Sequence, residues 1–281
     1  MITRNRCTSL LRTLDRLARL PERPPVVVVD NGSTDGTAEA VRTGHPGVRL
    51  LTPGRNLAAA GRTYGAAVLR TPYIAFSDDD SWWEPGALDR AADLLDAHPR
   101  LGLLSAATLV GAGAGGARPD PLNEALRNSP LGQEPDLPGH SVLGFLACAA
   151  VVRRAAFLEV GGFHPLLQIG GEEHLLAIDL AARGWGVAHC PAVVARHDPD
   201  KGPRPGRVVM MRRNKLLTAW LRRPLRQALV QSAKLALEGR HDPQARLALA
   251  DTARRLPAAL ARRDRIPARV ERRIRLLEAS P

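Results

Sequence analysis

Residues 78–80 are three consecutive aspartates that follow a short apolar run at 73–76. Adjacent carboxylates repel one another, so a folded chain keeps them together only where another group compensates their charge. Magnesium and manganese ions prefer such hard oxygen ligands, and hydroxyl-rich ligands are an alternative. Because ligands bind at the carboxyl ends of strands in an open α/β sheet, a strand at 73–76 would present these aspartates to a ligand. The competing interpretation is that Asp80 or Ser81 merely caps the following helix.

A second carboxylate, Asp30, follows four consecutive valines at 26–29. Such a run is typical of a parallel strand covered on both faces, so Asp30 is also expected at the carboxyl edge of a sheet. Ser33 and Thr34 are predicted to cap the next helix, which Gly44 ends. The run Asp-Asn-Gly-Ser is also common in turns, so a purely structural role for Asp30 stays open.

A third pair of acids, Glu172 and Glu173, stands in the first turn of a predicted helix that Gly184 ends. The helix macrodipole favours acidic residues at this position, which is a sufficient structural reason for both. A carboxylate within hydrogen-bond reach of a hydroxyl group can also accept its proton. One of the two glutamates is therefore a candidate general base.

The elements that must position these acids alternate between strands and helices, which predicts one large α/β domain with a C-terminal extension. Leu10, Leu14 and Leu17 recur at helical spacing and predict an amphipathic first helix. In the extension, Arg-rich helical patterns lie around 208–221, 229–237 and 245–256.

The basic residues are unevenly placed. Residues 201–281 carry 21 Lys and Arg against 6 Asp and Glu, whereas residues 1–200 carry 19 against 22. Basic amphipathic helices suit an anionic membrane surface, and solvated helices in an Arg-rich protein are the alternative. Nucleic acid is not an expected partner, because the basic segment has a single aromatic residue, Trp220, and no nucleic-acid-binding motif.

The remaining composition indicates a cytoplasmic protein, and the basic segment adds a peripheral position at the inner face of the plasma membrane as an alternative. The three cysteines have no metal-ligand spacing and an odd count, which favours a reducing compartment. A polar, charged segment follows Met1, so no signal peptide is expected. The longest uncharged runs, 101–117 and 141–152, are too short to span a bilayer.

The order and spacing of these motifs resemble a family 2 glycosyltransferase with the GT-A fold, over residues 2–220. The shared features are the strand ending in Asp-Asn-Gly-Ser-Thr-Asp, the Asp-rich segment, the Gly-Glu-acid helix start and a later histidine, His197. The resemblance implies a GT-A domain at 1–205, with a nucleotide-sugar half at about 1–100 and an acceptor half at about 101–205. Residues 206–281 form the basic helical extension.

The resemblance also implies roles for individual residues. Asp78 would contact the ribose of the nucleotide-sugar donor or assist the metal. Five further side chains would bind the donor: Thr3, Arg4, Asp30, Arg62 and Asp79. Asp80 and His197 would ligate a divalent cation, Mn²⁺ or Mg²⁺. Glu173 would be the general base, and Glu172 could share or take that role.

This chain departs from the family pattern in three places. Glu173 stands where Asp is more common, and Thr63 stands where Asn is common beside Arg62. The family also opens with a longer apolar strand, whereas here Met1 and Ile2 lead directly into the loop that begins at Thr3. We expect a truncated first strand, with a natural start upstream. The first strand and the strands at 26–29 and 73–76 should be neighbours in one parallel sheet.

The implied function is inverting transfer of a sugar, of the hexosyltransferase type, from a nucleoside-diphosphate sugar to an acceptor hydroxyl. The acceptor would be a glycan, a lipid-linked molecule or a small molecule, in cell-surface glycan, glycolipid or secondary-metabolite biosynthesis. One alternative is a non-catalytic nucleotide-sugar or glycan-binding relative. The other, a metal-dependent nucleotidyltransferase, is disfavoured because Thr3-Arg4-Asn5-Arg6 is not a Gly-rich phosphate loop.

Overall fold

The computed structural model describes residues 1–111, 116–200, 202 and 205–280. Its strands are β1 (Ile2–Thr3), β2 (Val27–Asp30), β3 (Arg49–Leu51), β4 (Tyr73–Ala75), β5 (Ser81–Trp83), β6 (Leu101–Val110), β7 (Arg118–Pro119), β8 (Ala150–Arg153) and β9 (Gly186–His197). Its helices are α1 (Cys7–Ala18), α2 (Thr37–Gly44), α3 (Ala60–Ala67), α4 (Ala87–Ala97), α5 (Pro121–Arg127), α6 (Arg154–Glu159), α7 (Glu172–Ala182), α8 (Arg207–Arg222), α9 (Leu225–Glu238), α10 (Pro243–Ala261) and α11 (Ala268–Ala279). The predicted α/β class is confirmed.

The valine-rich strand β2 lies at the centre of a small parallel sheet, in the order β1-β2-β3. Val28 and Val29 are fully buried, as the run of valines predicts. The pairing of β1 with β2 places Thr3 directly opposite Asp30. Two predicted site residues are thereby fixed side by side at the carboxyl edge of this sheet.

A larger mixed sheet has the order β4-β8-β6-β9-β5, with β7 added to the edge of β6. Its long central strands β6 and β9 run parallel, whereas β5 pairs with β9 in the antiparallel direction. This last pairing sets Ser81 opposite His197. The aspartates at 78–80 therefore lie beside the C-terminal end of β9, which is more than 100 positions later in the sequence.

The arrangement differs from the expected single parallel sheet in one respect, because β2 and β4 belong to separate sheets. Within the described residues, the pairing that links them runs through β1, since Ile2 pairs with Val29 and also forms a lone parallel bridge with Asp78. A two-residue strand cannot pair along the length of β4. A cavity of about 180 Å³ lies between the facing strands, lined by Val27 and Ile74 among other apolar side chains. The expected longer first strand stays a prediction.

Two predicted helix caps are wrong. Ser33 and Thr34 do not cap α2, because Gly36 occupies the N-cap position and Asp35 accepts a hydrogen bond from the Thr37 amide at 3.2 Å. Nor does Asp80 or Ser81 cap the following helix, since β5 intervenes and Gly86 is the N-cap of α4. The aspartates at 78–80 thus have no capping role in α4.

The main core is built around three phenylalanine rings, Phe76, Phe157 and Phe163, whose centroids lie 5.4–5.7 Å apart. The same cluster includes the buried face of α7 and, from the C-terminal segment, Ile266 together with Val270 and Ile274. The helix that carries Glu172 and Glu173 is therefore packed between the sheet and α11.

The C-terminal segment contains the three predicted helices as α8, α9 and α10, and it also contains α11, which was not predicted. The predicted domain boundary after residue 205 adjoins residues 203 and 204, which lie outside the described residues. No observation separates the segment into an independent domain, so this boundary stays a prediction.

Arg223 joins the end of α8 to α11 through a buried ion pair. Its Nε and Nη2 atoms donate to the two carboxylate oxygens of Glu271, both at 3.0 Å, and Nη1 donates to Glu278 at 2.5 Å. Arg223 and Glu271 are both buried. Removing one partner would leave the other charge buried and uncompensated, which strongly destabilises a fold.

We expect Arg223→Met to lower the free energy of unfolding by about 3–5 kcal/mol, the range for breaking a buried ion pair from one side. Arg275→Met is the matched control, because Arg275 also contacts Glu271 but has a side chain that is 56% exposed. The control should lose at most about 1 kcal/mol. Urea denaturation measures both, and equal losses would contradict the buried role of Arg223.

Candidate active site

Asp80 and His197 meet where β5 pairs with β9. The Asp198 amide donates to the Asp80 carbonyl at 2.8 Å, and Oδ1 of Asp80 lies 3.4 Å from Nε2 of His197. The Asp80 side chain is buried and that of His197 is half-buried. The structure thus brings together an oxygen and a nitrogen ligand, in the proximity that one shared cation requires.

Arg6 compensates the charge of the Asp-rich segment. Its Nε donates to Asp79 Oδ1 at 2.6 Å, its Nη2 donates to Asp80 Oδ2 at 2.8 Å, and its Nη1 binds Asp200. Asp79 also accepts a hydrogen bond from the Thr3 hydroxyl at 2.9 Å. Burial raises the pKa of Asp79 to about 6, with the neighbouring Asp80 adding to the increase and Arg6 opposing it.

Arg6 was missed by the sequence reasoning, which chose Arg4 two residues earlier. Arg4 is exposed, and no side-chain hydrogen bond or ion pair involves it in the described part of the chain. The signal that could have found Arg6 is its position, immediately before the first residue of α1. A side chain at this position extends from the carboxyl edge of β1 toward the aspartates at 78–80.

Arg62, on α3, lies between Asp78 and the start of α7. It binds Asp78, lies 3.9 Å from Glu172 Oε1, and places its guanidinium 5.5 Å from the centre of the Phe163 ring. The side chain is buried. Its Nε and Nη1 atoms have no hydrogen-bond partner among the described residues. A buried arginine with unused donors is suited to an anionic or carbonyl-bearing ligand.

Thr63, the neighbour of Arg62, has a structural contact instead. Its hydroxyl accepts a hydrogen bond from the Phe163 amide at 2.8 Å. Thr63, which stands where the family commonly has asparagine, therefore ties α3 to the turn before α7. It does not face the aspartates at 78–80.

The two glutamates at the start of α7 have different environments. Gly171, the N-cap residue, has φ of 96° in the left-handed region, which favours glycine. Glu172 is buried, and burial, followed by the charge of Glu173, raises its pKa to about 8 although Arg62 opposes the shift. Glu173 is half-buried. Burial therefore favours the protonated form of Glu172, and Glu173 is the more accessible member of the pair.

Asp30 has a structural contact as well as its place beside Thr3. Its Oδ1 accepts a hydrogen bond from the Ser33 amide at 2.8 Å, so the turn role that the sequence left open is present. The next residue, Asn31, binds the Leu57 amide at 3.0 Å and the Ala58 carbonyl at 3.2 Å. The ends of β2 and of the segment before α3 are thereby held together.

Comparison of the sequence with known proteins identifies its family. The model of the family "Glycosyl transferase family 2" matches residues 1–161, more than half of the chain. The chain belongs to glycosyl transferase family 2. A Mycobacterium tuberculosis relative, named N-acetylglucosaminyl-diphospho-decaprenol L-rhamnosyltransferase, is 30% identical in an alignment of 228 residues that covers 67% of this chain and 71% of the relative.

Solved structures of other glycosyltransferases share the fold of this family 2 member. The mannosyltransferase PcManGT from Pyrobaculum calidifontis, solved in complex with GDP-Man and Mn²⁺, superposes with a TM-score of 0.58 at 21% identity, over 100% of this chain and 74% of that one. GalNAc-T7, solved with UDP, GalNAc and Mn²⁺, gives a TM-score of 0.59 at 15% identity, over 78% of this chain and 46% of that one. The fold is GT-A, and the chain is a glycosyltransferase.

The donor atoms of Asp80 and His197 fit a divalent cation in this family 2 enzyme. A carboxylate oxygen and an imidazole nitrogen are both ligands that Mn²⁺ accepts. Within the described residues, no group of three or more His, Cys, Asp or Glu side chains could hold a metal.

Arg6 and a cation would compete for Asp80, which gives a test of the site. We expect Arg6→Ala to bind Mn²⁺ several-fold more tightly than the unmodified enzyme, because Asp80 Oδ2 is released from the guanidinium. Isothermal titration calorimetry measures the affinity. The variant's melting temperature should fall without metal and rise more steeply with added Mn²⁺, by mass action.

Arg4→Ala is the control, since Arg4 is exposed and contacts none of the aspartates. Its Mn²⁺ affinity should equal that of the unmodified enzyme. Unchanged or weaker Mn²⁺ binding by Arg6→Ala would show that Arg6 does not compete for the cation.

The raised pKa of Glu172 predicts a pH-dependent stability. A carboxyl group whose pKa is about 8 when folded and 4.5 when unfolded stabilises the fold fully below pH 4.5. That contribution is lost as the pH rises to about 8, because the unfolded chain releases the proton first. We expect the melting temperature to fall between pH 5 and pH 8, and to fall less in Glu172→Gln.

The control for this measurement is Glu39→Gln, which removes an exposed carboxylate on α2. Its melting temperature should follow the same pH dependence as the unmodified enzyme. If Glu172→Gln also follows it, Glu172 is not the group that holds the proton.

Proposed function

We propose that this chain is an inverting glycosyltransferase that moves a sugar from a nucleoside-diphosphate sugar to an acceptor hydroxyl, with a divalent cation. The observation that carries the proposal is the convergence of two acidic groups on Arg62. Asp78 comes from the strand edge of the donor half, and Glu172 begins the helix of the acceptor half. A donor bound beside Asp78 would meet an acceptor bound beside Glu173, the residue that follows Glu172.

The donor would bind at the carboxyl edge of β1, β2 and β4. Thr3, Asp30 and Asp79 line that edge, and Arg4 borders it from the exposed loop. The unused Nε and Nη1 donors of Arg62 support a contact with the nucleotide, since buried arginine donors rarely remain without an acceptor.

Asp80 and His197 would hold the cation, which would stabilise negative charge on the departing nucleoside diphosphate. Two structural neighbours were solved with Mn²⁺, which supports a divalent cation here. The chain's own contribution is to orient the two ligands. The Asp198 amide fixes the backbone of Asp80, and the β5–β9 pairing fixes His197 across from Ser81.

Glu173 would accept the proton of the acceptor hydroxyl. Its partial exposure allows an acceptor to reach it, whereas Glu172 is buried beside Arg62, and burial raises its pKa. Deprotonation would make the acceptor oxygen nucleophilic, and it would attack the anomeric carbon from the face opposite the departing nucleoside diphosphate. A direct displacement of this kind inverts the anomeric configuration.

The relative's name supports a more specific substrate class. It describes transfer of L-rhamnose to an N-acetylglucosaminyl-diphospho-decaprenol. We propose a rhamnose donor and a prenyl-diphosphate-linked sugar acceptor, with the enzyme peripheral at the cytoplasmic membrane surface. Among the described helices, none combines the length and apolar character needed to cross a bilayer. The basic charge of residues 201–281 supports contact with an anionic surface.

The decisive experiment measures product formation with a nucleoside-diphosphate rhamnose and an N-acetylglucosaminyl-diphosphate carrying a short prenyl chain. We expect Glu173→Gln to lower transfer by about 10² or more while donor binding changes little, because the amide keeps the size but cannot take a proton. Asp80→Ala should abolish metal-dependent turnover and leave a folded protein.

Glu172→Gln is the matched control for the base, since it makes the same change one residue earlier. If that variant loses transfer and Glu173→Gln does not, the base has been assigned to the wrong glutamate. Binding of the donor without any transfer or hydrolysis would instead indicate a non-catalytic relative. Release of rhamnose 1-phosphate, in place of a nucleoside diphosphate, would indicate a nucleotidyltransferase.

A further inference from the structure

A groove of about 450 Å³ begins at the N-terminus of α7 and follows α8, and we call it the α8 groove. Its lining includes Gly171, Met211, Lys215, Thr218, Ile274 and Leu277. Gly171 is the residue directly before Glu172, so the groove opens beside the proposed acceptor end of the active site. It is separate from the carboxyl edge of β1, β2 and β4, where the donor is proposed to bind.

The position of α8 against this end of the site is firmly fixed. The side-chain nitrogen of Asn214 donates to the carbonyls of Leu167, Ile169 and Gly170 at 2.7, 3.1 and 2.6 Å. A Cβ atom added at Gly170 would lie 3.3 Å from Met211 Cγ, so the helix and the glycine turn approach closely. The groove is therefore a preformed feature of the packing between α8 and the start of α7.

One face of α8 contributes Met211, Lys215 and Thr218 to the groove, and Val208 continues the same face one turn earlier. Val208, Met211, Lys215 and Thr218 follow one another at three- and four-residue spacing, which places them on the same side of a helix. Val208 and Met211 are large apolar residues that are nearly half exposed. From Met211 to Thr218 this face extends about 10 Å, at a rise of 1.5 Å per residue.

The available positive charge in the groove belongs to Lys215. Arg212 is paired with Asp242, and Arg223 is paired with Glu271 and Glu278. Lys215 is exposed, and no carboxylate lies within 4 Å of its ammonium group in the part of the chain that the structure describes. An anion in the groove would therefore find one uncompensated cation next to apolar walls.

We propose that the α8 groove binds the prenyl diphosphate portion of the acceptor, with Lys215 facing the diphosphate and Met211, Ile274 and Leu277 contacting the first isoprene units. The assignment rests on the proposed function, which supplies the acceptor class. The groove's start beside Glu172 would leave the acceptor's sugar hydroxyl at the catalytic end. Its apolar walls and single unpaired cation match an amphiphile with a small anionic head.

The C-terminal segment that forms one side of the groove also carries most of the exposed large apolar residues, which favours a lipid over a water-soluble glycan. Of the eleven large apolar residues that are substantially exposed in the described chain, nine lie between residues 206 and 280. A tenth, Ile169, directly precedes the glycine turn at the groove's mouth. Apolar side chains exposed beside basic ones are typical of surfaces that contact lipid.

The test is binding of farnesyl diphosphate to the full chain, measured by isothermal titration calorimetry without donor. Inorganic diphosphate and farnesol are the two partial probes, and the intact probe should bind more tightly than either. Met211→Asp and Lys215→Glu should each weaken its binding by roughly fivefold to tenfold, the effect of losing one apolar contact or reversing one partly exposed charge. Both residues are exposed, so the variants should fold.

Leu247→Asp and Arg240→Glu are the matched controls, because they make the same changes at exposed positions outside the groove. Both should bind farnesyl diphosphate as the unmodified enzyme does. Equal loss in the controls, or no loss in the groove variants, would overturn the assignment. So would groove variants that lose binding only to phosphatidylglycerol vesicles, since the groove would then contact membrane phospholipid.

Hydrolysis of the donor sugar nucleotide, measured on the same samples without acceptor, separates this inference from the proposed function. If hydrolysis is intact and farnesyl diphosphate shows no groove-dependent binding, the groove assignment fails alone. If groove-dependent binding is present and the donor is neither bound nor hydrolysed, the proposed function fails and the lipid site remains.

Discussion

Two arginines make it possible to gather so many carboxylates at one edge of this fold. Arg6 neutralises Asp79 and Asp80, and Arg62 lies between Asp78 and Glu172. Without them, burial would leave like charges facing one another at low dielectric, where their repulsion is strongest. Each arginine comes from a helix or loop next to a different strand. Their ion pairs therefore also connect the small sheet, the large sheet and α7.

The register between β5 and β9 is the second constraint, because it decides which side chain faces the Asp-rich turn. A one-residue shift would turn His197 to the opposite face of the sheet. The register is held on both sides, by the pairing of Ser81 with His197 and by the hydrogen bond from Asp198 to Asp80. The position of one potential metal ligand is therefore a property of the whole strand pair.

Much of this arrangement could be predicted from local patterns in the sequence. The valine run gave β2, and acids at the ends of apolar runs marked the sheet edge at Asp30 and Asp78 to Asp80. Other features depend on contacts that no local pattern contains. Arg6 looks like an ordinary loop residue until Asp79 is beside it, and β5 at Trp82 and Trp83 has only three residues. The helix α11 was hidden by its many arginines, although Val270, Ile274 and Leu277 recur at helical spacing.

The long sequence separation of the charged contacts has a consequence for how the chain reaches this state. Arg6 and Asp79 are 73 positions apart, and Arg6 and Asp200 are 194 positions apart. Contacts of such separation form late, after large loops have closed. We therefore expect a partly folded chain to hold its three adjacent aspartates together before Arg6 pairs with them. Dissolved salt screens that interim repulsion, so ionic strength acts on the rate of folding through the same acids that serve the finished site.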